Sequence, residues 1–187
     1  PDGWTSIGSD GANGKHFSGI LDGGGYTLTF PDQSPALVHH AKGAEIRNLS
    51  IYGKEIQEPA LISSSWINQT MGAWIAKIDN VTLLSGTSTL KSGLVQGSAS
   101  SYNPIYISNC YAEEGVVIGY DKSQSSIGTF AAGLVGSLEN CNSAATIYGV
   151  SNVGGLLGSQ SNSMAAGNFV NCWFTGKIVA TGSNVGG

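Results

Sequence analysis

Three cysteines, three histidines and a few acids carry whatever covalent or acid–base chemistry this chain could perform. Cys110, Cys141 and Cys172 recur 31 residues apart. A thiol attacks or ligates only as thiolate, which needs a neighbouring cation or imidazole. His16, His39 and His40 all lie far upstream of the thiols in the chain. No CxxC or Cys/His spacing of a zinc site occurs. An odd number of cysteines cannot pair completely, so the reading is of buried free thiols, with a single disulfide between neighbouring coils as the alternative. His39 and His40 are adjacent, so on a regular strand they point to opposite faces and share no metal. Among the acids, Glu113 and Glu114 are adjacent and diverge. Asp79 and Glu139 share a repeat position but are separated by Ser108, whereas glycoside hydrolysis needs two carboxyls at a defined separation. Asp22-Gly23-Gly24-Gly25 has the glycines of a phosphate cradle, but no Lys-Ser/Thr follows and no helix opens. It is read as a turn. The residues therefore indicate no catalytic site, no metal and no cofactor.

What positions these residues is a short phrase that returns five times: an apolar residue, any residue, asparagine, then a core-type residue. It reads Ile46-Arg47-Asn48-Leu49, Ile78-Asp79-Asn80-Val81, Ile107-Ser108-Asn109-Cys110, Leu138-Glu139-Asn140-Cys141 and Phe169-Val170-Asn171-Cys172. The asparagines are 32, 29, 31 and 31 residues apart, a period that signals stacked repeats, each unable to bury its apolar face alone. Straight alternation would turn the residue after asparagine outward, yet that position holds Leu49, Val81, Cys110, Cys141 and Cys172. A corner at the asparagine resolves the conflict, because asparagine tolerates the left-handed conformation better than other non-glycine residues. Stacked coils then place Asn48, Asn80, Asn109, Asn140 and Asn171 about 4.8 Å apart, where their amides can hydrogen-bond along the stack. The same register puts Tyr111, Asn142 and Trp173 in one outward column, a candidate ligand-binding strip.

Each unit is expected to hold three short strands. One is a Gly/Ala-apolar-apolar segment: Ala36-Leu37-Val38, Ala73-Trp74-Ile75, Gly93-Leu94-Val95, Gly133-Leu134-Val135 and Gly155-Leu156-Leu157. The second carries the asparagine. The third ends near glycine, as in Gly115-Val116-Val117-Ile118-Gly119 and Gly176-Lys177-Ile178-Val179. With turn residues between them and no helical periodicity, these predict an all-β, right-handed parallel β-helix of about five to six coils. Residues 1–187 form one domain, with 1–35 an N-terminal cap and first coil and 36–187 the repeats. Phe17, Gly19 and Leu21, then Tyr26, Leu28 and Phe30, alternate with polar residues and predict two strands joined at Asp22–Gly25. Residues 55–72, including Ala60-Leu61-Ile62 and Trp66, read as an insertion, and 98–104 and 119–129 as polar loops. Ser151-Asn152-Val153-Gly154-Gly155 returns as Ser183-Asn184-Val185-Gly186-Gly187, which implies that the array continues.

Charged residues make up only 11 % of the chain, against roughly 25 % in ordinary domains. Net charge is −4 and Arg47 is the only arginine, so the clustered basic face of a nucleic-acid binder is absent. No apolar run reaches the ~18 residues of a membrane span. The Asn-x-Ser/Thr triplets at Asn48, Asn68 and Asn80 are read as coincidental, since two are ladder positions.

Gly133-Leu134-Val135-Gly136 with Leu138-Glu139-Asn140-Cys141, and Gly154-Gly155-Leu156-Leu157-Gly158 with Phe169-Val170-Asn171-Cys172, resemble the GLUG-type repeats of bacterial secreted and cell-surface proteins. The opening Trp4…Ile7-Gly8…Phe17-Ser18-Gly19…Asp22-Gly23…Tyr26-Thr27-Leu28 is similar to the start of such arrays. The chain departs from the pattern at 36–72, where Ala36 replaces glycine. The resemblance implies a non-catalytic stalk, adhesin segment or accessory module, of the kind found beside the catalytic part of immunoglobulin-A peptidases. The expectations are a structural or adhesive module, secreted or wall-attached, with a host glycan or surface protein as partner. A glycan-binding module is the alternative, and a polysaccharide lyase or hydrolase is less favoured. Unpaired backbone at the solenoid ends adds an expectation of end-to-end self-association.

Overall fold

A computed structural model describes residues 5–8, 15–65, 76–96, 104–133, 135–159 and 168–186. Among these every element is a strand, and every strand pairing is parallel. The chain winds as a β-solenoid with about 31 residues per turn and makes four complete turns from Asn48 to Asn171. That is fewer than the five to six coils expected. The first level, Ile20–Asp22 and Thr27–Thr29, is a pair of short strands laid in parallel on Glu45–Tyr52. They do not pair with each other, because the glycines between them pass over the Asn48 corner: the amides of Gly23 and Gly25 donate to the carbonyls of Arg47 and Asn48.

The largest sheet stacks the asparagine-bearing strands Glu45–Tyr52, Ala76–Leu83, Ile105–Ser108 with Tyr111–Ala112, Ser137–Glu139 with Asn142–Ser143, and Asn168–Val170 with Trp173–Phe174. Ile46, Ile78, Ile107 and Leu138 form its inner column, each fully buried. All five ladder asparagines have φ between 51° and 55°. The corner inferred from the phase shift is therefore present at every turn, and it returns Leu49, Val81, Cys110 and Cys141 to the core.

A second sheet stacks Ser88–Thr89, Val117–Ile118, Thr146–Gly149 and Lys177–Ala180. A third column of bridges links Ile7, Val38, Ile62, Val95, Ala131 and Leu157. Here two expected segments are corrected. Ala60-Leu61-Ile62 is not part of an insertion; Ile62 bridges Val38 and Val95 as a regular level. In the next turn but one the level is occupied by Phe130-Ala131, not by Gly133-Leu134-Val135, since Val95 bridges Ala131 and Phe130 is fully buried. The Gly-Leu-Val pattern there matched by composition while the chain reaches the core four residues earlier. Between this column and the asparagine strand the chain spends a variable number of residues, and 66–75, 97–103 and 160–167 all fall in that stretch. Trp4, Trp66, Asn68, Ala73-Trp74-Ile75 and Leu134 lie outside the described residues.

Two further expectations change. Tyr26 is 80 % exposed, whereas Leu28 is half-buried and Phe30 is buried, so in the second strand the inward positions start at Leu28 and not at Tyr26. His39 and His40 do not diverge: their rings meet edge to face with centroids 4.4 Å apart. Val38 and Ala41 are both buried, with the two histidines half-buried between them.

A candidate ligand-binding face and the ladders that hold it

Strand register fixes the outward column. Ser50 lies on Thr82, Thr82 on Tyr111, Tyr111 on Asn142, and Asn142 on Trp173. Tyr111 is 37 % and Trp173 53 % exposed. The two aromatic residues stand two strands apart, about 9.6 Å at the usual spacing, with the Asn142 amide between them. A strip of two ring faces, an amide and a threonine hydroxyl suits a ligand with alternating apolar faces and hydroxyls. It offers no nucleophile or general base.

The strip is held by the corner beside it. Asn80 donates through Nδ2 to Oδ1 of Asn48 at 3.0 Å, Asn140 to Asn109 at 3.2 Å, and Asn171 to Asn140 at 3.1 Å. The expected column breaks once. Asn109 donates not to Asn80 but to Oδ1 of Asp79, at 2.7 Å, and Ser108 Oγ donates to the same oxygen at 2.6 Å. A carboxylate is a stronger acceptor than an amide carbonyl, and Asp79 is adjacent to the rung it displaces. At the bottom of the stack Asp22 serves as a rung missed from sequence. It accepts from Gly24 N at 3.0 Å, Asn48 Nδ2 at 3.1 Å and Arg47 Nε at 2.9 Å. These bonds, the Gly24 amide foremost, hold its carboxyl below the usual range. A second ladder was also missed: Asn184 donates to Asn152 at 2.9 Å and Asn152 to Ser126 Oγ at 3.4 Å, with φ of 60° and 54° at the asparagines. The repeated Ser-Asn-Val-Gly-Gly was its signal, since it places a second asparagine 12 residues after Asn140 and 13 after Asn171.

All three thiols are free. Each donates to the carbonyl two residues earlier: Cys110 to Ser108 at 3.1 Å, Cys141 to Glu139 at 3.2 Å and Cys172 to Val170 at 3.2 Å. Cys110 and Cys141 are buried, and Cys172 is half-buried. Burial pushes the Cys110 thiol well above its ordinary value and raises Cys172 as well. A hydrogen bond from Cys110 lowers Cys141. Of the paired acids, Glu113 accepts the backbone N–H of Ser85 at 2.8 Å, tying it to the turn of the coil below.

Scans against protein-family models, curated proteins and solved structures return no match for the chain. Its character therefore follows from its own geometry: a parallel β-solenoid whose asparagine corner presents an aromatic and amide strip.

Proposed function

We propose that this chain is a non-catalytic structural and adhesive solenoid module of a secreted or cell-surface protein, in keeping with its resemblance to bacterial GLUG-type repeats. One observation carries the reading: the inner column Ile46, Ile78, Ile107 and Leu138 is fully buried through consecutive turns. A continuous apolar core with a weakly charged exterior builds a stiff spacer on which surface residues keep fixed separations. Glu113 and Glu114 are the acids to test against this reading. Incubating the chain with acidic and neutral polysaccharides should release no new reducing ends or unsaturated products. Cleavage that disappears in Glu113→Gln or Glu114→Gln would replace the reading with that of an enzyme.

A second reading, glycan binding, is favoured by the shared column of Tyr111, Asn142 and Trp173. Glycan-array binding should fall at least tenfold in Trp173→Ala and in Tyr111→Ala. Binding unchanged in both variants removes it.

A further inference from the structure

The chain is not spent evenly between the second sheet and the third column of bridges. Ile62 follows Ile56 by six residues, and Val95 follows Thr89 by six; in the next turn Ala131 follows Ile118 by thirteen. The surplus forms a loop over residues 119–126, and it is tied on both sides. Toward the preceding levels, Gln57 Nε2 donates to the Tyr120 hydroxyl at 2.8 Å, across the level of Thr89. Toward the following level, Ser125 Oγ accepts the N–H of Ser151 at 3.3 Å and Ser126 Oγ accepts from Asn152 Nδ2 at 3.4 Å. A loop held in this way is a preformed wall, so a ligand does not have to order it.

Between that wall and residues 91–96 of the turn before lies a pocket of about 90 Å³, lined by Lys91, Ser92, Gln96, Gln124, Ser125 and Ser126 among others. Levels stack on both sides of it, Ile62 before and Leu157 after. Its polar groups have unused capacity. Ser92 is fully buried, and its Oγ accepts the N–H of Gly128 at 3.2 Å. Ser92, Ser125 and Ser126 thus each take an N–H on oxygen, and among the described residues none of their hydroxyl hydrogens meets an acceptor. The Gln96 side-chain amide likewise has no partner among the described residues, although its backbone is fixed by bonds to Ile62 and Gly133.

Charge decides what kind of ligand fits. The Lys91 ammonium is 2.8 Å from the Glu58 carboxylate, so the pair is neutral together. In the opposite wall the Asp121 carboxylate accepts from Ser123 and Gln124. A carboxylate or sulfate would meet that negative charge without a free cation to offset it. Hydroxyl groups both donate and accept, which matches serine hydroxyls beside side-chain amides. At ~30 Å³ for each water-sized group the pocket has room for about three, enough for the hydroxyls along one edge of a sugar ring.

We infer that this pocket binds the terminal, uncharged sugar unit of a glycan, edge on. It is separate from the Tyr111, Asn142 and Trp173 strip, which lies on the largest sheet, and neither site depends on the other.

The test titrates the whole chain with the methyl glycosides of glucose, galactose and mannose and follows the side-chain amides of Gln96 and Gln124 by proton–nitrogen NMR. At least one glycoside should give saturable shifts there with a Kd of about 1 mM, the affinity that a few hydrogen bonds at a preformed site supply. Gln96→Ala removes an exposed side chain and should weaken binding about two- to tenfold, read at Gln124; Ser92→Ala should do the same, read at Gln96. Spectral dispersion shows whether each variant is folded, and Gln96→Ala suffices if Ser92→Ala is not. Glucuronic acid should bind about tenfold more weakly than methyl glucoside, because like charges oppose it. The inference is overturned if none of the three glycosides gives saturable shifts, if affinity is unchanged in either folded variant, or if glucuronic acid binds as well as the neutral glycoside. Because the shifts are read at the pocket, the outcome is independent of whether the aromatic strip binds a glycan.

Discussion

Replacing Asn140 by alanine and by glycine separates what the corner conformation contributes from what the ladder contributes. Asn140 has φ of 53°. It donates to Asn109 at 3.2 Å and accepts from Asn171 at 3.1 Å, both exposed bonds. Exposed side-chain hydrogen bonds fall at the low end of the usual range, about 0.5 kcal/mol each, so losing the amide costs about 1 kcal/mol in either variant. Alanine adds the left-handed penalty of about 1–2 kcal/mol, giving about 2–3 kcal/mol in all. Glycine adopts this φ freely and adds only backbone entropy of about 0.5–1 kcal/mol, giving about 1.5–2 kcal/mol. On an ordinary strand glycine is the more damaging of the two. Here the order inverts. Urea denaturation reads the difference as midpoints at constant m, with coincidence of fluorescence and circular dichroism checking that the array still unfolds as a unit. An alanine variant as stable as the glycine variant would refute the assignment of asparagine to a conformational corner.

Iodoacetamide added to the native chain should label Cys172 first and leave Cys110 and Cys141 until denaturant is present, since only Cys172 is partly accessible; mass spectrometry of tryptic peptides reads the order, and early labelling of Cys110 contradicts the packing. Phe130→Ala empties a fully buried site and should cost about 3–5 kcal/mol by the same urea measurement; Val135, also buried, is a smaller side chain and should cost less when cut to alanine. Asp22 has a depressed pKa in the folded chain, so its contribution is present at neutral pH and is lost as pH falls through that lowered value. Hydrogen exchange at Ile20–Asp22 should therefore accelerate in acid at pH below the usual carboxylate range, and Asp22→Asn should remove that acid dependence.

The winding of the chain was open to reading from residues alone because its rules are local. A recurring asparagine with a core residue after it demands a left-handed corner whatever the neighbours are, and a regular period makes each corner sit on the last. The Cys110–Cys141 column and the outward Tyr111, Asn142 and Trp173 follow from the same count. Local composition misled where chain length could vary without changing the pattern. Gly133-Leu134-Val135 looks like a core segment, yet Phe130-Ala131 occupies the level, because the turn before it can lengthen and the one after it shorten. Ala60-Leu61-Ile62 resembles an insertion for the same reason, yet Ile62 bridges Val38 and Val95 as a regular level.

What the sequence alone determined is thus the period, the corner residue and the face to which each repeat position turns, all set by φ preference and strand alternation. Only the tertiary structure decided which partner each polar group takes. Asn109 chooses Asp79 over Asn80, and Asp22 takes the rung beneath Asn48. Those choices are competitions between donors and acceptors brought within hydrogen-bond reach by stacking, and a linear chain does not contain the distances that settle them.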